Sequence, residues 1–163
     1  MIYEFKKISL EIKTKDKNLL FLNLNPRQKI LSQSDIGFHN IFINNSDELL
    51  FFDFEYAGWD DCFKIIADLV LQPEGCLDSK FFQISKPLLN NYLKTIEDKE
   101  RLKKTIFLYR IKWTCILLNN FIYDENQKRI IDLDNLILEK AINYFYDSEY
   151  NAINFIEFLN INF

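Results

Sequence analysis

Two short apolar runs, residues 41–43 and 49–52, predict an antiparallel β-hairpin. Both runs are rich in strand-forming residues, and the polar residues between them have the composition of a turn. A four-residue loop over residues 45–48 would place Asn40 directly opposite Asp53. Because each run is continuously apolar and does not alternate, both faces of the hairpin are expected to need cover.

Beyond the hairpin, apolar positions recur at helical spacings. A first helix is predicted after Asp60 or Asp61, either of which can cap it. Its apolar stripe consists of Phe63, Ile66, Ala67 and Val70. Residues 85–87 (Ser-Lys-Pro) predict the start of a second helix. Three more helices are predicted over about residues 99–123, 133–146 and 148–159.

Asp35, Asn40 and Asp53 carry the functional groups that a phosphoryl-transfer site needs. One carboxylate would accept a hydroxyl proton, while an amide oxygen and a second carboxylate would hold Mg²⁺. Gly37 permits a sharp bend between Asp35 and the hairpin. Asp and Asn are common in turns, so the spacing alone is weak, but the second Asp at the mirrored hairpin position favours a site.

Two segments of the chain resemble a known enzyme family. Residues 34–40 (Ser-Asp-Ile-Gly-Phe-His-Asn) and 53–61 (Asp-Phe-Glu-Tyr-Ala-Gly-Trp-Asp-Asp) are similar to the catalytic and metal-binding segments of the aminoglycoside phosphotransferase and choline kinase family. The second segment is closest to the choline and ethanolamine kinase form. The similarity of pattern extends over roughly residues 25–125.

The resemblance implies a role for four residues. Asp35 would be the catalytic base, Asn40 a metal ligand, Asp53 the principal Mg²⁺ ligand, and Asp68 the helix residue that braces the catalytic loop. The chain departs from the family in two places. The usual His-Gly-Asp is replaced by the run Ser-Gln-Ser-Asp that ends at Asp35, and the usual Asp-Pro turn by Asp-Cys at residues 61–62.

The resemblance also implies a fold. The implied fold is α+β and mostly helical. It is the C-terminal lobe of a protein-kinase-like enzyme with a small catalytic β-hairpin, and it forms a single domain over residues 1–163. The pattern of residues 1–17 fits both a helix and a strand, and the resemblance favours a helix. The N-terminal lobe is expected to be absent, because none of the three glycines forms a phosphate-covering loop and no strand lysine can be assigned.

The implied reaction transfers the γ-phosphoryl group of ATP, with Mg²⁺, to a hydroxyl of an aminoglycoside-, choline- or sugar-like acceptor. The nucleotide site is expected to be incomplete, so the chain would pair with an N-lobe chain or with a second copy of itself through the hairpin side and its N-terminal segment. In the alternative, residues 1–17 cover the hairpin themselves and the chain is a monomer. A non-catalytic remnant, or a binding subunit of a split kinase, is the alternative. Glu55 would contact substrate or hydrogen-bond within its own loop, and the sequence leaves both interpretations open.

Composition and charge limit the classes of binding partner that the sequence predicts. A net charge of −4 and a pI near 5.1 argue against nucleic acid or an anionic membrane as the partner. Apolar residues make up 48% of the 163 residues, which predicts one globular core. The three cysteines fit no zinc spacing, and no apolar run approaches the about 18 residues of a membrane span, so a reduced, cytoplasmic protein is expected.

Overall fold

The computed structural model describes residue 10 and residues 24–73, 75, 79–119 and 131–161. Within these residues the fold is α+β and mostly helical. The strands are β1 (Lys29–Ser32), β2 (Ile41–Ile43), β3 (Leu49–Phe51) and β4 (Gly58–Asp61), and the helices are α1 (Cys62–Val70), α2 (Ser79–Leu89), α3 (Ile96–Leu117) and α4 (Ile131–Phe158). The helix predicted over residues 1–17 lies outside the described residues, apart from Leu10.

The core lies where α1 and α4 pack against α3. The predicted α1 is confirmed: the side chain of Asp61 caps it by accepting a hydrogen bond from the Phe63 backbone N–H at 3.0 Å. Fully buried side chains at this junction include Phe63, Ala67, Leu102, Ile106, Ala152, Phe155 and Ile156. Burying a side chain the size of Leu or Phe contributes about 1.5–3 kcal/mol, so this layer supplies the rigid base for the segments above it. Among the described helices, none is long and apolar enough to cross a membrane.

Two helix predictions were wrong. The second helix begins at Ser79 and not at residues 85–87, and it contains Pro87. Pro87 has no N–H to donate to the carbonyl four residues before it, and the helix ends two residues later, at Leu89. The two helices predicted over residues 133–146 and 148–159 are one helix, α4, in which the buried Ser148 donates its hydroxyl to the Phe145 carbonyl instead of starting a new turn.

The hairpin exists, but its predicted register was wrong by one residue. Ile41 pairs with Phe51, and the Phe52 N–H donates to the Asn40 carbonyl at 3.2 Å, so Asn40 lies opposite Phe52 and not Asp53. The loop has three residues because Asp47 adopts a left-handed backbone, with φ of 59°. Asn44 stabilises this turn, since its Oδ1 accepts the backbone N–H groups of residues 46 and 48, both at 2.9 Å.

A second two-stranded sheet joins β1 to β4 in antiparallel register, with Lys29 opposite Asp61. This pairing connects the segment before the candidate catalytic loop to the segment that leads into α1. Arg101 of α3 stabilises the position of the sheet against that helix. Its guanidinium donates hydrogen bonds to the Asp61 carboxylate and, at 3.0 Å, to Gln28 Oε1. Gln28 Nε2 in turn donates to the Asp98 carboxylate at 2.6 Å. The start of the candidate loop is therefore held by the helical core.

Candidate functional site

Asp35 and Asn40 lie together in the loop between β1 and β2. The buried Asn40 donates its Nδ2 to the Asp35 carbonyl at 3.0 Å, and the same nitrogen lies 3.5 Å from Asp35 Oδ2. This orientation leaves Oδ1 as the acceptor atom of Asn40. The Asp35 carboxylate is about half exposed, with His39 Nε2 at 3.7 Å from its Oδ2. The loop thus presents one accessible carboxylate beside one fixed amide.

Asp53 is joined to the same loop through its backbone. The buried Gln33 donates its Nε2 to the Phe52 carbonyl and lies 3.4 Å from the Asp53 carbonyl. Together with the Phe52 N–H to Asn40 carbonyl bond, this gives two independent ties between the loop and the end of the hairpin. Gln33 stands within the run that departs from the family pattern, and its role could not be read from the sequence.

Two residues of the site have strained backbones. Ser34 has φ of 72° and Asp53 has φ of 64°, and neither is glycine. Such conformations cost about 1–3 kcal/mol each and persist only where surrounding contacts hold them. Ser34 is held by Lys64, whose ammonium donates to the Ser34 carbonyl at 2.7 Å and to its Oγ at 2.9 Å. Strain held in this way is typical of functional loops.

Asp68 braces the loop indirectly. It is buried in α1, its Oδ1 accepts from Lys112 at 2.8 Å, and its Oδ2 lies 3.9 Å from the Lys64 ammonium. Lys64 also contacts Asp60 Oδ2 at 2.5 Å, so it links two acidic residues of α1 and β4 to Ser34. Burial raises the pKa of Asp68, an effect that Lys112 and Lys64 only partly offset. The four-residue spacing of Lys64 and Asp68 on α1 is a sequence signal that could have indicated their contact.

The side chain of Asp53 is exposed, and within the described part of the chain it forms no hydrogen bond or ion pair. Other acidic side chains lie near the Asp53 carboxylate. The pKa of Tyr56 lies above its ordinary value because of a hydrogen bond to Glu55 and the charge of Glu55, with smaller contributions from the charges of Asp53 and Asp35. Negative charge is therefore concentrated where the loop and the hairpin end meet. Glu55 is exposed, and contact with substrate and hydrogen bonding within its own loop both stay predictions.

Asn40 and Asp53 carry oxygen donors of the type that Mg²⁺ prefers. Among the described residues, no group of three or more His, Cys, Asp or Glu side chains is placed to hold a metal ion. Asn40 Oδ1 and the Asp53 carboxylate are hard oxygen donors, and Mg²⁺ usually takes one or two such protein ligands, with phosphate oxygens and water completing its shell. The exposed Asp53 leaves room for those other ligands.

No protein-family model, curated protein or solved structure matches the chain. The family resemblance therefore depends on residues 34–40 and 53–61 and on the contacts that join them.

Proposed function

We propose that this protein is the catalytic lobe of a small-molecule kinase that transfers the γ-phosphoryl group of ATP to a hydroxyl. One observation carries the proposal: Asn40 is bonded to Asp35, and the same loop is tied by Gln33 and by Asn40 to the backbone on which Asp53 stands. These contacts support the proposal that the three group types required by this chemistry act together at one end of the hairpin.

Each group has a defined part in the reaction. The acceptor oxygen forms a bond to the γ-phosphorus, the bond from that phosphorus to the β–γ bridging oxygen breaks, and ADP leaves. Asp35 receives the hydroxyl proton, which its exposure allows. Asn40 Oδ1 and the Asp53 carboxylate would hold Mg²⁺, which supplies charge neutralisation for the phosphates. Lys64 and Asp68 keep Ser34, and so the neighbouring Asp35, in place.

Paramagnetic broadening of NMR signals by Mn²⁺ tests the metal assignment. Titration should broaden signals around residues 35–55 in the native protein, and Asp53→Asn should remove most of that broadening. Asparagine tolerates positive φ, so this variant removes charge without adding backbone strain. Glu157→Gln, an exposed acid in α4, is the matched control. If broadening in Asp53→Asn equals that in the control, Asp53 does not hold the ion.

A second candidate, a binding subunit of a split kinase, is favoured by the exposed apolar side chains of the hairpin. Phe42 is 64% and Ile43 66% exposed. We call the hairpin surface the set of Phe42, Ile43, Leu49, Leu50, Phe51 and Phe52, all exposed. An apolar patch of this kind usually marks an interaction site, and we propose that a second chain carrying the nucleotide-binding lobe docks there.

The two candidates are separated by activity. ATP hydrolysis and acceptor phosphorylation should be measured for the chain alone and together with the product of the neighbouring reading frame. Turnover that appears only in the mixture supports the first candidate, a catalytic lobe that needs a second chain to complete a split enzyme. If the mixture also stays inactive while the two proteins bind each other, the chain is a binding subunit without catalysis.

A further inference from the structure

A cavity of about 210 Å³ opens beside the candidate catalytic loop. Its walls include His39, Gln72, Trp113, Ile116 and Lys140. Because His39 Nε2 lies 3.7 Å from Asp35 Oδ2, the cavity begins at the side chain next to the proposed base. The volume is below the about 300–1,000 Å³ of sites for drug-sized ligands, so it suits a compact molecule.

The described residues of the cavity walls offer hydrogen-bond donors, and no carboxylate is among them. Gln72 Nε2 and Trp113 Nε1 are buried donors that have no partner among the described residues. Gln72 is fixed, since its Oε1 accepts the Phe38 N–H at 2.8 Å, which turns its amide nitrogen away from that contact. The exposed Lys140 adds an ammonium, and neither Asp nor Glu is among the described residues that form these walls. A buried donor without a partner costs about 1–3 kcal/mol, which a ligand oxygen that reaches it would recover.

The aromatic surface of the cavity already has a cation beside it. The Lys112 ammonium lies 5.0 Å from the centre of the Trp113 ring and 4.8 Å from that of Tyr109. Cation–π attraction is thus satisfied from within the protein. A second cation entering the cavity would meet the Lys140 ammonium and, among the described wall residues, no carboxylate. Like charges that close disfavour a cationic ligand.

We propose that this cavity binds the phosphoryl acceptor, and that the acceptor is a compact molecule rich in hydroxyl or carboxylate oxygens, without a cationic group. A neutral or acidic monosaccharide has this chemistry. Its oxygens would accept hydrogen bonds from Gln72 and Trp113, and one hydroxyl would reach past His39 to Asp35. The identification as the acceptor rests on the proposed kinase function, whereas the binding itself does not.

The two tryptophans of the chain allow a direct test. Trp59→Phe leaves Trp113 as the single indole, and Trp113→Phe leaves Trp59, which is 76% exposed on β4. Fluorescence is titrated with D-glucose, D-ribose and D-galacturonate, and with D-glucosamine as the cationic match of glucose. A saturable change is expected in the Trp59→Phe protein and none in the Trp113→Phe protein. Glucosamine should bind at least about tenfold more weakly than glucose, a difference of about 1.4 kcal/mol.

Gln72→Glu changes a single atom of the cavity wall. It keeps the oxygen that accepts the Phe38 N–H and replaces the donor nitrogen with an acceptor oxygen. This variant should lose affinity for glucose and gain affinity for glucosamine. Tighter binding of glucosamine than glucose by the Trp59→Phe protein, or no saturable change with any of these sugars, overturns the proposal. The titration contains no nucleotide, so sugar binding without phosphoryl transfer would count against the kinase function alone.

Discussion

Replacing Asp98 with alanine should lower the free energy of unfolding by about 1.5–5.5 kcal/mol at neutral pH. The carboxylate is only 7% exposed and accepts hydrogen bonds from Arg27, from Gln28 Nε2 and from the backbone N–H groups of Lys94 and Thr95. With Thr95 it forms the capping box of α3; alanine keeps the Thr95 hydroxyl cap but loses the bond from the Thr95 backbone N–H, which costs about 0.5–1.5 kcal/mol.

The other contributions follow from what the substitution leaves behind. Gln28 is 4% exposed, so its Nε2 would become a buried donor without a partner, at a cost of about 1–3 kcal/mol. The Arg27 side chain is 37% exposed, and its ion pair with Asp98 adds about 0–1 kcal/mol because solvent screens it. The sum of the capping-box bond and the orphaned donor dominates the expected loss.

The effect should depend on pH. Burial alone would raise the pKa of Asp98, but the backbone N–H groups of Thr95 and Lys94 and the charge of Arg27 outweigh it and hold the pKa below its ordinary value of 3.8. A carboxyl group whose pKa is lower in the folded state stabilises the fold above its unfolded-state pKa. That contribution is lost as pH falls through the folded-state pKa, below 3.8.

Urea unfolding followed by circular dichroism measures both effects. Asp98→Asn should be less stable than the native protein at pH 7, and the difference should shrink below pH 3.8. Glu97→Gln is the control, because Glu97 is an exposed acid in the same first turn of α3. A loss in Asp98→Ala no larger than in the control, or a difference between Asp98→Asn and native protein that stays constant into acid, would show that these bonds to Asp98 do not stabilise the fold.

Three further outcomes are expected. In a reconstituted enzyme, Asp35→Asn should lower kcat by about 10²–10⁴-fold with little change in nucleotide affinity, and near-native kcat would exclude Asp35 as the base. Gly37→Ala should displace the His39 ring, because a Cβ at Gly37 would lie 2.3 Å from His39 Cε1, and the ring signal of this sole histidine should shift in NMR spectra. Light scattering at micromolar concentration should show a mass above 19.6 kDa. Phe42→Lys should reduce that mass, and the exposed-site control Leu88→Lys should not. A native monomer that binds no hydrophobic dye would contradict self-association.

Local signals in the sequence were sufficient for several elements. An amphipathic run after Asp60 and Asp61 predicted α1 and left its cap open between the two residues, and the structure assigns the cap to Asp61. The contact between Asp35 and Asn40 was likewise predictable, since both lie in one short loop. The hairpin was recognised from its composition, but its register depends on the left-handed backbone of Asp47, which composition does not reveal.

Long-range contacts explain what the sequence could not predict. The pairing of β1 with β4 joins segments separated by the whole hairpin, and Gln33 acts on the Phe52 carbonyl across the same distance. Lys64 stabilises Ser34 through a contact between residues thirty positions apart. None of these contacts produces a periodic pattern, so only the folded chain reveals that the candidate loop is held from three sides.

The attachment of β1 to α3 has a consequence for the order of folding. The contacts of Gln28 with Asp98 and Arg101 close loops of 70 and 73 residues, whereas α3 and its cap form from neighbouring residues. Closing a long loop costs chain entropy before its contacts are gained, so such contacts tend to form after local ones. The candidate loop is therefore expected to acquire its geometry late. In pulsed hydrogen exchange during refolding, amides of α3 should become protected before that of Asn40, which donates to the Gly37 carbonyl at 2.9 Å inside the loop.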